Sequence, residues 1–202
     1  EQRLCGVPMV LSYLHRGDFS LHAAAVEFER GAVLFAAPSK HGKTTLAFAC
    51  QRAGFRLLSE DLACCRPSTG EVIPGPAVIR LRPDVFDGEV PPGLHVAAER
   101  PDRVFLVPDD EQRGSCAPVP IRGIVFLREG EDLLLERADS RAALSDLWTL
   151  SWHLPTDEDR GRSFRQLTRL LGAVPVWNLM RPLRLDALPA TIELVAERVG
   201  RG

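Results

Sequence analysis

The chain has 202 residues, of which 45% are hydrophobic and 26% are charged, a composition typical of one globular domain and unlike that of a disordered chain. No apolar run approaches the roughly 18–20 residues that span a bilayer, and the first ten residues lack the segments of a signal peptide, so we expect a cytoplasmic protein without membrane contact. The formal net charge of −2 argues against a broad nucleic-acid-binding surface.

The first third of the chain is predicted to contain strands around one helix, in the order strand 19–26, strand 32–37, helix 44–53 and strand 55–65. Gly31 is expected to form the hairpin turn between the first two strands. Gly54 stands where a left-handed residue ends a helix. A short loop and one helix between apolar strands predict a right-handed βαβ crossover.

The rest of the chain has weaker patterns. We expect irregular loops with short strands over 67–122, followed by short strands, helices and a closing amphipathic helix: strands 79–82, 124–127, 132–136 and 174–179, and helices 140–148, 162–171 and 188–199. No repeat or long linker divides the sequence, which predicts a single domain over 1–202.

The cysteines are odd in number and lack both CxxC pairs and Cys/His ligand spacing: Cys5, Cys50, Cys64, Cys65 and Cys116. Zinc and a disulfide framework are therefore not expected, and we predict small buried thiols.

Residues 37–44 read APSKHGKT and fit a phosphate-binding loop, except that Ala37 replaces its first glycine. In such a loop backbone N–H groups and the helix N-terminus face a phosphate, a lysine reaches the β- and γ-phosphates, and a threonine hydroxyl binds Mg²⁺. Lys40 and Lys43, both in this segment, are the only lysines among 25 Lys and Arg residues. We therefore predict that ATP and Mg²⁺ bind here, at the candidate residues Ser39, Lys40, His41, Gly42, Lys43, Thr44 and Thr45. The alternatives are an ordinary helix start and, for Lys40 and His41, simple exposure to solvent.

Three further polar residues lie near the loop in the predicted topology. Glu60 and Asp61 follow a strand, and the carboxyl ends of strands in an open α/β sheet face the ligand crevice. One carboxylate would hold Mg²⁺ and the other would take the proton of an acceptor hydroxyl, unless both belong to a surface turn. His22 lies in the strand before the loop strand, where on its own it would more often be a core histidine.

Three blocks in this order and spacing resemble the catalytic core of the HPr kinase/phosphorylase family and its smaller HPr-kinase-like relatives: SLHAAAV at 20–26, the loop at 37–44 and GFRLLSED at 54–61. Weaker similarity at 74–83, 119–127 and 174–179 extends the resemblance over most of the chain. It implies an α/β P-loop kinase core related to phosphoenolpyruvate carboxykinase and to the C-terminal domain of HPr kinase.

The resemblance implies an ATP-dependent kinase that phosphorylates a serine hydroxyl of a peptide or small protein. Lys43 and Thr44 would bind phosphate and Mg²⁺, Glu60 would be the base, Asp61 would be the second carboxylate and a Mg²⁺ ligand, and His22 would be the active-site histidine. Small relatives include tailoring kinases for peptide natural products such as lasso peptides. Family members are often hexamers, so a homo-oligomer is possible.

The chain also departs from the family pattern. Ala37 replaces the first loop glycine, Glu60 replaces an aspartate, and the family's EIRGLG block is missing, which makes HPr itself a poor substrate candidate. The first two departures motivate an alternative, a nucleotide-binding regulatory or peptide-binding module that has lost turnover. A nucleotide-driven hydrolase would need a water-positioning residue that the sequence does not identify.

Two sets of residues stay open at this stage. Four arginines either contact phosphate or substrate or are solvated charges: Arg80, Arg82, Arg100 and Arg103. Three tryptophans are predicted to lie in the core or at an interface: Trp148, Trp152 and Trp177.

Overall fold

The computed structural model describes residues 6–76, 78–109 and 115–200. Its α-helices are α1 (Val7–His15), α2 (Lys43–Arg52), α3 (Ser140–Thr149), α4 (Asp157–Ala173) and α5 (Leu188–Val195). Its strands are β1 (Phe19–Leu21), β2 (Ala23–Phe28), β3 (Gly31–Ala36), β4 (Arg56–Ser59), β5 (Ala63–Arg66), β6 (Glu71–Ile73), β7 (Ile79–Leu81), β8 (Leu94–Arg100), β9 (Arg103–Pro108), β10 (Val119–Glu129), β11 (Leu134–Arg137), β12 (Ser151–Trp152) and β13 (Val176–Arg181). Within the described ranges, no helix is both long enough and apolar enough to cross a bilayer.

A large, mostly antiparallel sheet forms the centre of the fold. Its strand order is β12-β1-β5-β6-β10-β3-β2-β4, with β13 also paired to β10 and β11 paired to β13. Parallel pairing joins β10 to β3 and to β13. A separate antiparallel sheet has the order β7-β9-β8. The prediction of a mixed α and β fold is therefore confirmed.

The predicted strand–helix–strand unit is formed by β3, α2 and β4. Both strands pair antiparallel with β2 and thus run in the same direction, with β2 between them. Every residue of β3 is buried, as expected for a strand covered on both faces. Because β3, β10 and β13 are parallel, their carboxyl ends share one edge of the sheet, where the loop to α2 begins.

The central sheet separates two apolar cores. Alternate residues of β3 enter opposite cores: Val33 and Phe35 pack on the side of α2 and α5, whereas Leu34 and Ala36 pack on the side of α3 and α4. This division follows from the two-residue period of a strand. The small β7-β9-β8 sheet adds buried residues to the first core.

Two predicted strands are each divided by a break. The strand predicted over 19–26 stops at His22, and the strand predicted over 55–65 stops at residues 60–62. Before and after these breaks the same two segments pair with each other, because Leu21 lies opposite Ala63 and Ala25 lies opposite Ser59. The two interruptions therefore face one another across the sheet.

Other predictions are corrected in extent. The middle region, expected to be mostly irregular, contains β8 and β9, which are long enough to form a sheet with β7. Helix α4 begins five residues before the predicted start at 162, because the Thr156 hydroxyl accepts a hydrogen bond from the N–H of Asp159 and caps it. The predicted strands 124–127 and 132–136 exist as β10 and β11, but β13 lies between them.

The cysteine prediction is confirmed in part. Cys50, Cys64 and Cys65 are buried free thiols, whereas Cys116 is exposed. Burial raises the pKa of Cys50 and that of Cys64 to about 12, so both are protonated and unreactive at neutral pH. Cys5 lies outside the described residues.

Candidate functional site

The predicted phosphate loop connects β3 to α2 at the carboxyl edge of the parallel strands. Gly42 is the N-cap of α2 with φ 76°, and it offers no side chain to cap the first turn. The N–H groups of that turn are thus left to bind an anion. Lys40, which is not a glycine, also has a positive φ, at 70°. Ala37 does not adopt a positive φ, so its replacement of the usual glycine causes no backbone strain.

Lys43 begins α2 and turns its side chain back under the loop. The side chain is almost buried, with the residue 5% exposed. Its Nζ donates to the carbonyl oxygens of Ala37 at 2.7 Å and Pro38 at 3.2 Å, and it lies 2.9 Å from His22 Nε2. Burial lowers the pKa of Lys43, and the nearby carboxylates of Asp61 and Glu60 oppose that shift. The ammonium is therefore held by neutral acceptors, and no carboxylate of residues 6–76, 78–109 and 115–200 is in direct contact with it.

His22 links Lys43 to Asp61. Its Nδ1 lies 3.3 Å from Asp61 Oδ1, on the opposite side of the ring from Lys43. Burial lowers the pKa of His22 despite the neighbouring carboxylate. Because the Lys43 ammonium only donates, Nε2 accepts from it and the neutral ring carries its proton on Nδ1, the atom that lies near Asp61. The break between β1 and β2 leaves this residue free to face the site.

Glu60 and Asp61 occupy the facing break, and their environments differ. Glu60 is 5% exposed, and its Oε1 accepts a short hydrogen bond from the Thr44 hydroxyl. The Glu60 Oε2 accepts from Arg80 Nε at 2.8 Å and Nη2 at 2.7 Å. The Asp61 side chain is 40% exposed, and its Oδ2 lies 2.9 Å from Arg80 Nη2. Burial raises the pKa of Glu60, which Arg80 and Thr44 partly offset.

These oxygens form a donor set that fits Mg²⁺. A threonine hydroxyl and two carboxylates are hard ligands of the kind that Mg²⁺ takes alongside phosphate oxygens and water. Within the described ranges, no group of three or more His, Cys, Asp and Glu side chains is placed to hold a metal ion by itself. Thr44, Glu60 and Asp61 would therefore share the ion with a bound phosphate.

A groove of about 1200 Å³ opens over His22, Glu60, Asp61 and Arg80. Its walls are mainly apolar and come from three separate parts of the chain: Val7 and Val10 of α1, Trp152 of β12, and Ala98, Phe105 and Val107 of the small sheet. The carboxylates of Glu60 and Asp61 thus lie in the groove together with its apolar walls.

The four arginines whose roles the sequence left undecided have different positions in the structure. Arg80 belongs to the site, and Arg100 lines the groove with its guanidinium 5.3 Å from the centre of the Phe105 ring. Arg82 pairs with the exposed Asp84, and Arg103 donates to the carbonyl oxygen of Asp102. Neither of these two lines the groove.

The other loop residues that were predicted to bind the nucleotide have separate surroundings. Ser39 and Lys40 are exposed, and His41 is half-buried with its Nδ1 3.0 Å from the Ser39 carbonyl oxygen. Thr45 is half-buried and lines a second groove, which runs along α2. None of the four takes part in the Lys43 and Glu60 contacts.

Two features of the site had no signal in the sequence. Trp152 was expected in the core or at an interface but is 45% exposed on the groove wall. Arg181, at the end of β13, donates from Nη2 to the carbonyl oxygens of His41 at 3.2 Å and Gly42 at 3.4 Å. A separation of 139 residues from Gly42 hides this contact from any local pattern.

Comparison of the sequence with models of known protein families finds no match. Comparison with curated proteins finds no significant match either. The functional assignment therefore depends on the site geometry together with the sequence blocks that the site brings into contact.

Proposed function

We propose that the protein is a cytoplasmic Mg²⁺- and ATP-dependent kinase that transfers the γ-phosphate to a serine hydroxyl of a peptide or small protein. The observation that carries this proposal is the placement of the buried Lys43 ammonium between the phosphate loop and the His22–Asp61 pair. The same blocks carry the resemblance to HPr-kinase-like proteins. That resemblance supports a P-loop kinase core of the kind related to phosphoenolpyruvate carboxykinase.

The nucleotide half of the site consists of the loop and the start of α2. The first-turn N–H groups and the Lys43 ammonium would bind the β- and γ-phosphates. Lys43 now bonds to two carbonyl oxygens and one imidazole, all neutral, so an incoming phosphate exchanges weak partners for a charged one. When bound, Mg²⁺ would neutralise charge on the phosphates, held by Thr44 and by Glu60 or Asp61.

The contacts favour different roles for the two carboxylates. Both oxygens of Glu60 are engaged, one by Thr44 and one by Arg80, and the residue is almost fully buried. These contacts place Glu60 on the side of the proposed Mg²⁺ ligand Thr44. Asp61 also has a contact on each oxygen, with His22 at Oδ1 and with Arg80 at Oδ2, but its side chain is 40% exposed and lines the groove. We therefore assign proton acceptance to Asp61, whereas the family resemblance alone implies that role for Glu60.

The transfer step follows from this arrangement. The acceptor serine oxygen attacks the γ-phosphorus as its proton passes to an Asp61 carboxylate oxygen. The new O–P bond forms while the bond from the γ-phosphorus to the β,γ-bridging oxygen breaks, and ADP leaves with that oxygen. Arg80 and Lys43 stabilise the charge that develops on the transferred group, and positioning with charge neutralisation supplies the catalysis.

The groove supports a peptide as the acceptor. The apolar walls would bury the side chains on either side of a serine in the acceptor. The serine hydroxyl would then lie next to Asp61, which also lines the groove. A free small-molecule alcohol would leave most of the 1200 Å³ volume unfilled. The proposal therefore places at least several residues of the acceptor in contact with the enzyme.

The test is phosphate transfer from labelled ATP to a library of serine-containing peptides with apolar flanking residues, followed by mass spectrometry. We expect the wild-type protein to add one phosphate to a subset of the peptides. Lys43→Ala should abolish transfer, whereas Arg169→Ala, which removes an exposed cation on α4, should not. Equal transfer by the wild-type and Lys43→Ala proteins would contradict the proposal.

A second function, a nucleotide-binding module without turnover, is favoured by one specific observation. Arg80 contacts both carboxylates in this structure and so competes with the acceptor and the cation for their oxygens. Calorimetry that detects ATP binding, without phosphate transfer to any peptide or to water, would support this alternative. Repeated turnover would exclude it.

A further inference from the structure

Within the part of the chain that the structure describes, Arg181 is a buried cation without an acidic partner. The residue is 3% exposed, and no carboxylate of the described residues forms an ion pair with it. Its Nε is buried and has no hydrogen-bond partner among these residues. Burial alone lowers the pKa of this guanidinium, since no neighbouring acid opposes the shift. An unpaired charge in a protein interior destabilises the fold unless something else compensates for it.

The position of Arg181 shows what it touches. Its Nη2 donates to the carbonyl oxygens of His41 and Gly42, on the reverse side of the peptide units whose N–H groups belong to Gly42 and Lys43. A Cβ on Gly42 would lie 2.5 Å from Nη2, so the guanidinium packs directly against the backbone of the loop. The strand that carries Arg181 ends at the same sheet edge as β3.

We propose that Arg181 is a positioning residue for polyphosphate binding, whose positive charge acts through the backbone of the phosphate loop. The proposal deepens the nucleotide site described above and rests on that proposed function. Hydrogen bonds from a cation to the two carbonyl oxygens polarise their peptide units, which makes the N–H groups of Gly42 and Lys43 better donors. The charge is left without a carboxylate and is balanced when an anionic phosphate group occupies the loop.

The proposal predicts opposite effects on stability and on binding. Arg181→Met keeps a long apolar stem but removes the unpaired charge, so the ligand-free protein should melt at the same temperature or higher. Its affinity for ATP and for inorganic tripolyphosphate should fall by about 10-fold or more. Arg181→Lys, which keeps the charge and one donor, should recover part of that affinity.

A neighbouring residue provides a matched control. Arg128 lies on β10 opposite Met180, the residue before Arg181, but it is half-exposed and paired with Asp146. Arg128→Met should therefore leave the affinity for tripolyphosphate unchanged. Calorimetry with ATP and with tripolyphosphate, each below the melting temperature of the variant, makes the comparison. Circular dichroism verifies that each variant is folded.

The outcomes separate this proposal from the kinase proposal. Wild-type and Arg181→Met proteins that bind tripolyphosphate within about twofold of each other would overturn the role of Arg181 and leave the kinase proposal intact. A lower melting temperature for Arg181→Met than for Arg128→Met would also overturn it, because Arg181 would then stabilise the fold itself. A wild-type protein that binds neither ATP nor tripolyphosphate would refute both proposals.

Discussion

Substitution of Gly42 tests the geometry of the loop most directly, because the chain offers a second glycine as a reference. Gly42 and Gly54 flank the same helix, α2, and both have positive φ, 76° and 91°. A Cβ on Gly54 would meet no atom within 4 Å, whereas a Cβ on Gly42 would lie 2.5 Å from Arg181 Nη2. Alanine at either position must therefore adopt the left-handed conformation, but only alanine at position 42 also clashes with a neighbouring atom.

The shared cost is the left-handed conformation, about 1–2 kcal/mol for a residue with a Cβ. The additional cost at Gly42 is the displacement of Arg181 Nη2. This atom is the far end of a flexible side chain, so the cost lies at the low end of that for overpacking a core, about 1 kcal/mol. We therefore expect Gly54→Ala to lower the free energy of unfolding by about 1–2 kcal/mol, and Gly42→Ala by about 2–3 kcal/mol. Urea denaturation followed by circular dichroism measures both values.

A double-mutant cycle identifies the source of the difference. In the background of Arg181→Ala the atom that clashes is absent, so Gly42→Ala should cost no more than Gly54→Ala. The coupling energy should therefore be about 1 kcal/mol. Affinity for ATP, measured by calorimetry, should fall in Gly42→Ala and stay unchanged in Gly54→Ala. Equal destabilisation by the two alanines, or a coupling energy near zero, would refute the packing of Arg181 against the loop.

Lys43→Arg should reduce ATP affinity nearly as much as Lys43→Ala, because the space beside His22 and the Ala37 carbonyl fits a compact ammonium and not a planar guanidinium. His22 has a lowered pKa in the folded protein, so its contribution to stability is fully present above its ordinary pKa of 6.5 and is lost as the pH falls through the lowered value. His22→Gln should flatten that part of the profile of urea midpoint against pH. Trp152→Ala should raise the KM for a peptide acceptor by about 10-fold, with little change in kcat. This factor corresponds to the loss of an aromatic contact that contributes about 1.4 kcal/mol to peptide binding.

Each of these three predictions has a result that contradicts it. Transfer activity retained in Lys43→Arg would mean that the ammonium is not confined as the contacts indicate. If the profile of urea midpoint against pH has the same slope below pH 6.5 in His22→Gln as in the wild-type protein, the imidazole titrates alike in the folded and unfolded chains. A Trp152→Ala protein with a changed KM for ATP and an unchanged KM for the peptide would place the acceptor elsewhere.

The contacts among the loop residues of the proposed site could be anticipated because these residues are close in sequence and follow a known spacing. Lys43 and Thr44 begin a helix directly after a loop, and the apolar strand before that loop has a clear pattern. Glu60 and Asp61 follow the next strand by the same logic. Their convergence with His22 needed the resemblance, since a lone histidine in an apolar segment indicates a core position at least as well as a site.

The groove in which we propose that the acceptor binds could not be predicted, because it is assembled from distant segments without a pattern of their own. The groove walls come from α1, β12 and the small sheet, and the last of these was expected to be mostly irregular loop. Arg100 and Arg103 lie directly opposite each other on β8 and β9. Only their side-chain contacts distinguish them, because Arg100 lines the groove whereas Arg103 donates to the carbonyl oxygen of Asp102. Arg181 ends a strand predicted over 174–179, outside the predicted element, and no neighbouring residue indicates its loop contact.

The convergence of His22, Glu60 and Asp61 follows from how the central sheet is divided. Residues 21 and 63, like residues 25 and 59, are held in the ladder by their partners across the sheet. His22, Glu60 and Asp61 fall between these pairs, where neither segment continues its strand. Side chains at such a point can turn toward one another without breaking ladder hydrogen bonds, because those bonds are already absent. The register is the same on both sides of the break, so uninterrupted strands would place Asp61 opposite Ala23 and Glu60 opposite Ala24. Successive side chains would then point to opposite faces, with His22 and Glu60 on one face and Asp61 on the other. The break therefore allows Asp61 to lie beside His22, with 3.3 Å between Oδ1 and Nδ1.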